Sequence, residues 1–572
     1  MPRRVALLAA IALACGTTRQ VVELAIGGDE KTLRHRPPHA RQSSPGSSQI
    51  LLIAFDGISR DLLYDLLRQG KLPNLAALLG GDDLSHAYLD ETFLSGLPST
   101  TMAAWVSVQT GAGAAHTGVT GNEYFVRERR DFVCPAPVSF SDAKPTLRIY
   151  THGYLNDQVE VPSVYERIHD HDPDALVWVG MNHFYRGADK LLLARRTVLV
   201  KALEVFFEDK IEKLSRETSR AIYKDLDDAA IDAIVSRLAP RAPVPDVLTL
   251  YISGTDLWAH VAKEGPDEAR RSYLTEVVDP ALRRFVAKLR ERRALDNRWV
   301  IVTGDHGHTE IRKDKVHSIS TGDDGPVGLL QKAGFRLRPL RHVVADSDPF
   351  SAVLAYGGAM AYVYLADRSR CPGARDRCDW TAPPRYREDV LAAADAFYTN
   401  NIDGHLAPAL RGTLDMILVR QPKSSAEVDD PFEVYVGGGA TLAVGEYLRA
   451  YPHPTYVALE ERLEELAAGP YGERAGDILL IAHNGDRDVA DDRYYFAGPD
   501  HSWHGSPSAL DSEIPLIVAH RAHATAAIGA WVKPILGDRP FQRKITDIML
   551  GLRTAPPGVT TASRTRSLPA GR

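Results

Sequence analysis

The sequence lacks a block of basic residues. Its 572 residues include 68 Lys and Arg against 74 Asp and Glu, so the formal net charge is −6. A protein that binds a nucleic-acid polymer usually concentrates Lys and Arg on one face, where they meet the phosphates. The composition therefore gives nucleic-acid binding no electrostatic support, and we expect no such polymer as a partner.

A long hydrophobic run is missing from the N-terminal end. Arg3 and Arg4 precede an apolar run of only about ten residues, from Val5 to Ala14. This run is too short to span a bilayer of ~30 Å as a helix. A basic start, a short apolar run and small residues at its end indicate a secretory signal over residues 1–15.

The role of Cys15 depends on which of two kinds of secretory signal the chain carries. It resembles the processing site of a bacterial lipoprotein, in which the cysteine is lipidated, although Ala12 stands where Leu is usual. The alternative is a plain signal peptide that is cut nearby. Both predict export, to the periplasm, to a membrane as a lipoprotein or to the extracellular space. A lipid on Cys15 would be the only link to a membrane.

Cysteine is scarce, with four residues in the chain. Cys371 and Cys378 bracket a short hydrophilic loop, which a disulfide could close in an oxidising compartment. Cys134 would then be the odd residue, either buried or free.

Regular periodicity is absent from both ends of the chain. Residues 16–47 are polar and rich in Pro and Ser, and they predict a flexible linker. Residues 554–572 predict a disordered tail. Between them, residues 48–553 predict one folded domain, in which the less regular stretch of about 310–475 is interpreted as an inserted subdomain. We expect substrate selection to depend on this stretch and on residues near 120–190.

Buried strands alternate with helical patterns along this domain. The first apolar run, Gln49 to Phe55, ends at Asp56 and is typical of a buried parallel strand. Similar runs follow at 175–180, 246–252, 299–303, 477–482 and 514–519, with helical patterns at 199–215, 217–239, 267–293, 387–398 and 456–468. The alternation predicts an α/β fold, a doubly wound, mostly parallel sheet sandwiched by helices.

Three aspartates follow predicted strands within a few residues. Asp56, Asp256 and Asp305 are far apart along the chain, yet each stands near the carboxyl end of a strand, where α/β sheets collect their ligands. Asp256 and His260 are four residues apart, so on one helical turn both side chains could reach one ion. A surface pair is the alternative for this spacing.

Further candidate metal ligands stand at two other motifs. Asp305 and His306 are adjacent between glycines, and His504 precedes the last predicted strand. Carboxylate oxygen together with imidazole nitrogen suits zinc, and carboxylate-rich sites also accept manganese. The neighbouring His308 and His501 remain open between structural and ligand roles.

Five ordered motifs resemble the alkaline phosphatase superfamily. They are Asp56-Gly57, Pro98-Ser99-x-Thr101, Asp256-x-x-x-His260, Asp305-His306-Gly307 and His504-Gly505. The branch that looks most similar is the type I phosphodiesterase/nucleotide pyrophosphatase group, which also includes phosphonoacetate hydrolases. The resemblance extends from about residue 48 to 552, so the 48–553 domain would be an alkaline phosphatase-like catalytic domain.

The resemblance implies two divalent metal ions, zinc or alternatively manganese. Residues that match the ligands of the first ion are Asp56, Thr101, Asp305 and His306, and those that match the ligands of the second are Asp256, His260 and His504. Thr101 would be the nucleophile and would form a covalent phospho-threonine intermediate. Ser99 and Thr100 are rival hydroxyls, whose ordinary role would be to cap a helix.

Two positions depart from the family pattern. Ala104 stands where many members have an Asn that contacts phosphate, and Thr117 stands where His is usual. Asn122 is a possible substitute for the missing phosphate contact. The function implied is an exported, metal-dependent hydrolase of phosphate diesters or phosphoanhydrides that acts on small phosphoester molecules. The alternatives are a phosphomonoesterase or phosphonate hydrolase and a non-catalytic envelope binding protein. The absence of a basic residue beside Thr101 favours singly charged diesters.

Overall fold

A computed structural model describes residues 30–34, 48–207, 216–320, 322–422 and 431–554. The predicted signal with Cys15, most of the predicted linker and the tail beyond residue 554 lie outside the described residues. These predictions therefore remain predictions.

The described strands and helices alternate through most of the chain. The strands are β1 (Glu30–Thr32), β2 (Gln49–Phe55), β3 (Ala87–Asp90), β4 (Tyr124–Val126), β5 (Asp131–Val133), β6 (Val177–Gly180), β7 (Lys190–Leu192), β8 (Val247–Ile252), β9 (Arg298–Gly304), β10 (Thr309–Glu310), β11 (Ala352–Gly357), β12 (Met360–Leu365), β13 (Leu414–Arg420), β14 (Phe432–Gly437), β15 (Ala440–Ala443), β16 (Ile478–Ala482), β17 (Ser502–Trp503) and β18 (Leu516–Ala519). The α-helices are Arg60–Arg68, Pro73–Leu79, Thr101–Thr110, Ala114–Thr117, Lys144–His152, Val164–His171, Arg196–Phe207, Arg216–Arg237, Gly254–Val261, Pro266–Tyr273, Asp279–Glu291, Pro326–Lys332, Ala392–Asp403, Val444–Ala450, Leu459–Ala467, Ala509–Ser512, Thr525–Leu536 and Lys544–Thr554.

The larger sheet has eight strands in the order β1-β7-β6-β8-β2-β9-β18-β3. The five strands from β7 to β9 run parallel, and β1, β18 and β3 each pair antiparallel with a neighbour. Every residue of β8 is buried, as is every residue of β2 after Gln49. A strand buried on both faces needs helices on both sides. The prediction of a doubly wound, mostly parallel α/β sheet is confirmed.

A second sheet of six strands lies in the later part of the chain. Its order is β11-β12-β16-β13-β14-β15, and all its pairs are antiparallel. Strand β16, which the strand–helix alternation assigns to the main sheet, belongs here instead. The reason is that an apolar run identifies a buried strand but does not specify its partners. The limits of the predicted subdomain at 310–475 remain a prediction.

Part of the predicted linker is a strand. Glu30–Thr32 pairs antiparallel with Lys190–Leu192 at the edge of the main sheet, and Lys190 Nζ lies 2.6 Å from Glu30 Oε1. The expectation of a flexible linker is wrong for these three residues. Polar composition did not reveal the pairing, because charged side chains are common on edge strands.

The predicted disulfide is confirmed. Cys371 and Cys378 form an S–S bond, and Cys134 is a buried free cysteine. Within the described ranges, no helix combines the length and apolar character needed to cross a membrane.

Candidate active site

The carboxyl ends of three adjacent strands bring the three predicted aspartates together. Asp56 directly follows β2 and Asp305 directly follows β9, while Asp256 lies in the first turn of the helix Gly254–Val261, just after β8. Strands β8, β2 and β9 are neighbours in the sheet. The three carboxylates are at most 5% exposed. Residues distant in sequence therefore share one buried space.

Three overlapping groups of buried Asp and His side chains could each hold a metal ion. In each group the potential ligand atoms lie within 4.8 Å of one another. The groups are Asp56, Asp305 and His306; Asp256, His260 and His504; and Asp256, His306 and His308. The structure thus brings together all six of the Asp and His residues that the family resemblance implies as ligands, and their role as ligands stays a prediction.

Two of the carboxylates each have one oxygen held by the protein and one left without a partner. Oδ1 of Asp305 accepts hydrogen bonds from the backbone N–H groups of Gly57, at 2.9 Å, and His306, at 3.0 Å. Oδ2 of Asp56 accepts one from the hydroxyl of Tyr251. Asp56 Oδ1 and Asp305 Oδ2 are buried and have no hydrogen-bond partner among the described residues. Because a buried carboxylate oxygen without a partner is costly, these two atoms fit the ligand positions of a cation.

The three predicted histidine ligands are held by the same kind of hydrogen bond. Nδ1 of His306, His260 and His504 lies 2.9, 2.8 and 2.9 Å from the backbone carbonyl oxygens of Gly307, Ser502 and Ser99, respectively. A carbonyl oxygen only accepts, so each Nδ1 carries a hydrogen, and each ring in its neutral form would keep its lone pair on Nε2. In metal-ligating histidines, the hydrogen bond made by the ring nitrogen that does not bind the metal fixes the tautomer. The imidazoles are therefore prepared to bind through Nε2.

The electrostatics of the site favour a cation. Burial raises the pKa of Asp56 well above its ordinary value, and the charges of Asp305 and Asp256 raise it further. Burial alone would lower the pKa of His306, but Asp305 and Asp56 raise it to about 10. Without a metal ion, Asp56 and His306 therefore retain protons, which partly neutralise the negative charge of the site. Binding of a metal ion there would release them.

Thr101 is the hydroxyl that faces this centre. It is the first residue of the helix Thr101–Thr110, and its Oγ1 lies 3.2 Å from Nε2 of His306. The rival Ser99 is occupied, because its Oγ lies 2.9 Å from a guanidinium nitrogen of the buried Arg462. Thr100 is fully buried, and of the three hydroxyl residues only Thr101 lines the pocket beside the predicted metal ligands.

Asn122 stands beside the predicted nucleophile. Its Oδ1 accepts the backbone N–H of Met102 at 3.0 Å, which leaves Nδ2 as the atom that can donate to a ligand. Asn122 lines the same pocket as Thr101, whereas Ala104 and Thr117 are fully buried. Its contact with phosphate stays a prediction, and Nδ2 is the atom that could make it.

His308 belongs to the centre and has no counterpart in the five sequence motifs. Its Nε2 lies 2.8 Å from Oδ1 of Asp256, and its Nδ1 lies 3.1 Å from Oγ of Ser502. His501 is different, since its ring is partly exposed and its backbone N–H donates to the carbonyl of His260. The spacing of Asp305-His306-Gly307-His308 was the only sequence signal for His308. Tyr251, the partner of Asp56, gave none, because it is one of six buried residues of β8.

One further group of Asp and His side chains lies in the second sheet. It comprises Asp415, His483 and Asp486. The guanidinium of Arg487 lies 3.2 Å from Asp486 and 3.8 Å from Asp415, and it donates to Nδ1 of His483. Here a protein cation already lies beside both carboxylates, in contrast to the groups around Asp56 and Asp256.

The walls of the central pocket come only partly from the stretches that were expected to select the substrate. Apolar side chains of the helix Arg196–Phe207 line it, together with residues of the 120–190 stretch such as Tyr150 and His183. The stretch 310–475, which was expected to carry specificity, supplies none of the described lining residues. Its sheet instead supports the site from behind, since the backbone N–H of Ala359 donates to the carbonyl of His504.

Comparison with known proteins gives one family match. A sequence model of the family described as type I phosphodiesterase/nucleotide pyrophosphatase matches residues 50–356, more than half of the chain. No match was found among curated proteins. Two solved structures are similar. The first is inactive murine ectonucleotide pyrophosphatase/phosphodiesterase 5 in complex with AMP, at 12% identity and TM-score 0.45. The second is phosphonoacetate hydrolase from Sinorhizobium meliloti 1021 in complex with phosphonoformate, at 16% identity and TM-score 0.43. The first covers 88% of this chain and 94% of its own, and the second 90% and 98%.

Proposed function

The chain belongs to the type I phosphodiesterase/nucleotide pyrophosphatase family and is a phosphohydrolase, and we propose that it cleaves phosphate diesters or phosphoanhydrides with Thr101 as nucleophile. The observation that carries this proposal is the position of the Thr101 hydroxyl, 3.2 Å from Nε2 of His306. The hydroxyl lines a pocket whose other walls include Asp56, Asp256 and His504. A substrate bound in this pocket would therefore lie beside both Thr101 and the predicted ligands.

The residues of the site would hold two zinc ions, with manganese as the alternative. Asp56, Thr101, Asp305 and His306 would hold the first, and Asp256, His260 and His504 would hold the second. Two such cations stabilise the attacking and leaving oxygens of an in-line displacement and lower the pKa of a coordinated hydroxyl. The mixed carboxylate and imidazole donors and the two partnerless carboxylate oxygens support this assignment.

Thr101 would act in two displacements. Its Oγ1, having lost the hydroxyl proton, attacks phosphorus and the leaving group departs with its electron pair, which leaves a phospho-threonine. Water then attacks the same phosphorus, the bond between phosphorus and Oγ1 breaks, and a proton from the water restores the hydroxyl. Asn122 would donate from Nδ2 to a phosphate oxygen during both steps, in place of the donor that Ala104 lacks.

The charge of the pocket supports diesters over monoesters. A phosphate monoester carries two negative charges, and enzymes that use one usually place Arg or Lys on the phosphoryl group. Among the described residues that line the pocket, none is Lys or Arg. A singly charged diester needs less positive charge in the pocket, so it is the better substrate.

The protein would act outside the cytosol. The disulfide between Cys371 and Cys378 supports this, because such bonds persist in oxidising compartments. Residues 1–15 would direct export, with Cys15 either lipidated or removed. Incorporation of labelled fatty acid that is lost in Cys15→Ser would establish the lipoprotein form, and a mature chain that starts beyond Cys15 would exclude it.

Hydrolysis of bis-p-nitrophenyl phosphate by the zinc-loaded protein tests the proposal. We expect turnover that disappears in Asp305→Ala, whose carboxylate is wholly buried in the first ligand set. A folded, zinc-loaded protein that cleaves neither this diester nor a nucleotide phosphoanhydride would overturn it.

A further inference from the structure

The pocket beside Thr101 is walled mainly by carbon. It is partly open to solvent, and Thr101, Asp56 and His260 are among the residues that line it. Its apolar wall includes Leu203, Phe206, Phe207, Leu226, Leu257 and Trp503. An apolar surface of this extent next to reacting groups requires an explanation beyond catalysis, because the phosphoryl chemistry itself uses polar ligands.

One helix face supplies much of this wall. Leu199, Leu203, Phe206 and Phe207 recur at helical spacing on Arg196–Phe207, a pattern that ordinarily buries a helix against a core. Phe206 and Phe207 are nevertheless only partly buried, and both line the pocket. The stripe therefore continues from the core into the site.

The apolar wall reaches the predicted metal ligands. The ring centroid of Phe206 lies 5.4 Å from that of His260, and the centroid of Trp503 lies 4.6 Å from it on a T-shaped contact. A phosphodiester whose phosphorus is presented to Thr101 would thus place one of its substituents near these rings.

The polar groups in the pocket are mostly engaged with the protein. The hydroxyl of Tyr150 donates to the carbonyl of Met181, that of Thr146 donates to the carbonyl of Pro135, and that of Tyr251 donates to Asp56. His183 Nδ1 is buried without a partner among the described residues. A sugar and base would meet few free donors or acceptors here, and unpaired polar groups are costly to bury.

The pocket also has no counter-charge for a polyphosphate. None of its described lining residues is Lys or Arg, and its charged members are the carboxylates Asp56 and Asp256. The pyrophosphate portion of a nucleoside triphosphate carries several negative charges, which would need cations beyond those that the catalytic ligands hold.

We propose that this pocket selects phosphodiesters that carry an uncharged apolar substituent, aryl or alkyl, which packs against Leu203, Phe206 and Trp503. The inference rests on the proposed function and narrows it. The preferred substrate is an apolar diester, and nucleotide phosphoanhydrides are poor substrates.

Three diesters with one leaving group test the selection. They are p-nitrophenyl phenyl phosphate, p-nitrophenyl methyl phosphate and thymidine 5′-p-nitrophenyl phosphate, each with a single negative charge. We expect the phenyl ester to exceed both others by ~10-fold or more in kcat/KM, the scale of discrimination that a small apolar contact provides. Equal kcat/KM for the phenyl and methyl esters, or a preference for the thymidine ester, would overturn the inference.

Variants of the helix face localise the effect. Phe206→Ala should bring the ratio of phenyl to methyl kcat/KM close to one, and the milder Phe206→Leu should give an intermediate ratio. Lys201→Ala, on an exposed position of the same helix, is the matched control and should leave the ratio unchanged. A ratio that is unaffected by both Phe206 variants, in protein with an unaltered melting temperature, would place the selection elsewhere.

Binding to Thr101→Ala separates this inference from the proposed function. Calorimetry on that variant compares affinities for the same diesters when turnover is absent. A wild type without activity but a variant that binds the phenyl ester ~10-fold more tightly than the methyl ester would contradict the function and support the pocket. Equal affinities would contradict the pocket whatever the wild-type activity.

Discussion

The hydroxyl oxygen of Thr101 lies 3.2 Å from Nε2 of His306, although 205 residues separate the two in sequence. The sheet creates this contact, because His306 follows the end of β9 and Thr101 begins a helix beside it. Nδ1 of His306 is held by the carbonyl of Gly307, so the ring presents Nε2 to the hydroxyl.

Replacement of the nucleophile should remove activity. Thr101→Ala should lower kcat/KM for bis-p-nitrophenyl phosphate by at least ~1,000-fold, since loss of a covalent nucleophile has effects of this order. The control is Thr100→Val, which preserves the shape of a fully buried neighbour that does not line the pocket. If Thr101→Ala kept a tenth of wild-type activity while Thr100→Val lost it, the nucleophile would be misassigned.

Removal of metal should abolish activity and lower stability. Chelation leaves the buried carboxylates of Asp56, Asp256 and Asp305 without a cation, so we expect a lower melting temperature that added zinc restores. Metal analysis should find about two ions per chain, and fewer in Asp305→Ala. Asp415→Asn is the control, because the guanidinium of Arg487 already lies beside that group. Full activity after exhaustive chelation would rule out metal dependence.

His308 should act as a positioning residue for Asp256. Its Nε2 lies 2.8 Å from Asp256 Oδ1, and removal of such a supporting contact typically costs 10–100-fold in metal affinity or rate. We expect His308→Gln to weaken zinc binding and lower kcat by about that factor, with KM little changed. His501→Gln, at a partly exposed neighbouring position, should match the wild type. Unaltered zinc affinity in His308→Gln would show that the contact is dispensable.

Asp227 should make stability depend on pH. It accepts hydrogen bonds from Tyr273 and from the backbone at Ser253 and Gly254, where the helix with Asp256 begins. Burial raises its pKa from 3.8 to about 6. A raised carboxyl pKa means that the native state binds the proton more tightly, so its stabilising effect is complete below pH 3.8 and is lost as pH rises through 6.

The size of this effect can be measured against Asp227→Asn. A difference of about two pKa units corresponds to about 3 kcal/mol. The free energy of unfolding of the wild type, relative to that of Asp227→Asn, should therefore fall by about 3 kcal/mol between pH 3.5 and 7. Denaturant unfolding at several pH values tests this, and a constant difference would contradict the raised pKa.

The sequence contained most of the information about the sheet and the ligands. Asp56, Asp256 and Asp305 could be placed because an apolar run followed by a carboxylate marks the end of a buried strand. Strand β16 was placed in the wrong sheet, since its apolar pattern is the same in either one. Local sequence patterns identify strands and helices, whereas long-range packing determines which strands pair.

The parts of the site that could not be predicted depend on where side chains point in the fold, which residue type and spacing do not specify. The stripe Leu199, Leu203 and Phe206 has the spacing of a core-facing helix, and the sequence does not say that one end of it faces a cavity. His308 had a suitable position but no motif. Tyr251 is one of several apolar residues in β8, and only the fold turns its hydroxyl toward Asp56.

The stereochemical course at phosphorus tests the central claim most directly. A phosphorothioate diester of known configuration is hydrolysed in ¹⁸O-labelled water, and the configuration of the product is determined. Two successive displacements, first by Thr101 and then by water, predict net retention. Net inversion would show a single direct attack by water and would contradict the role of Thr101 as nucleophile.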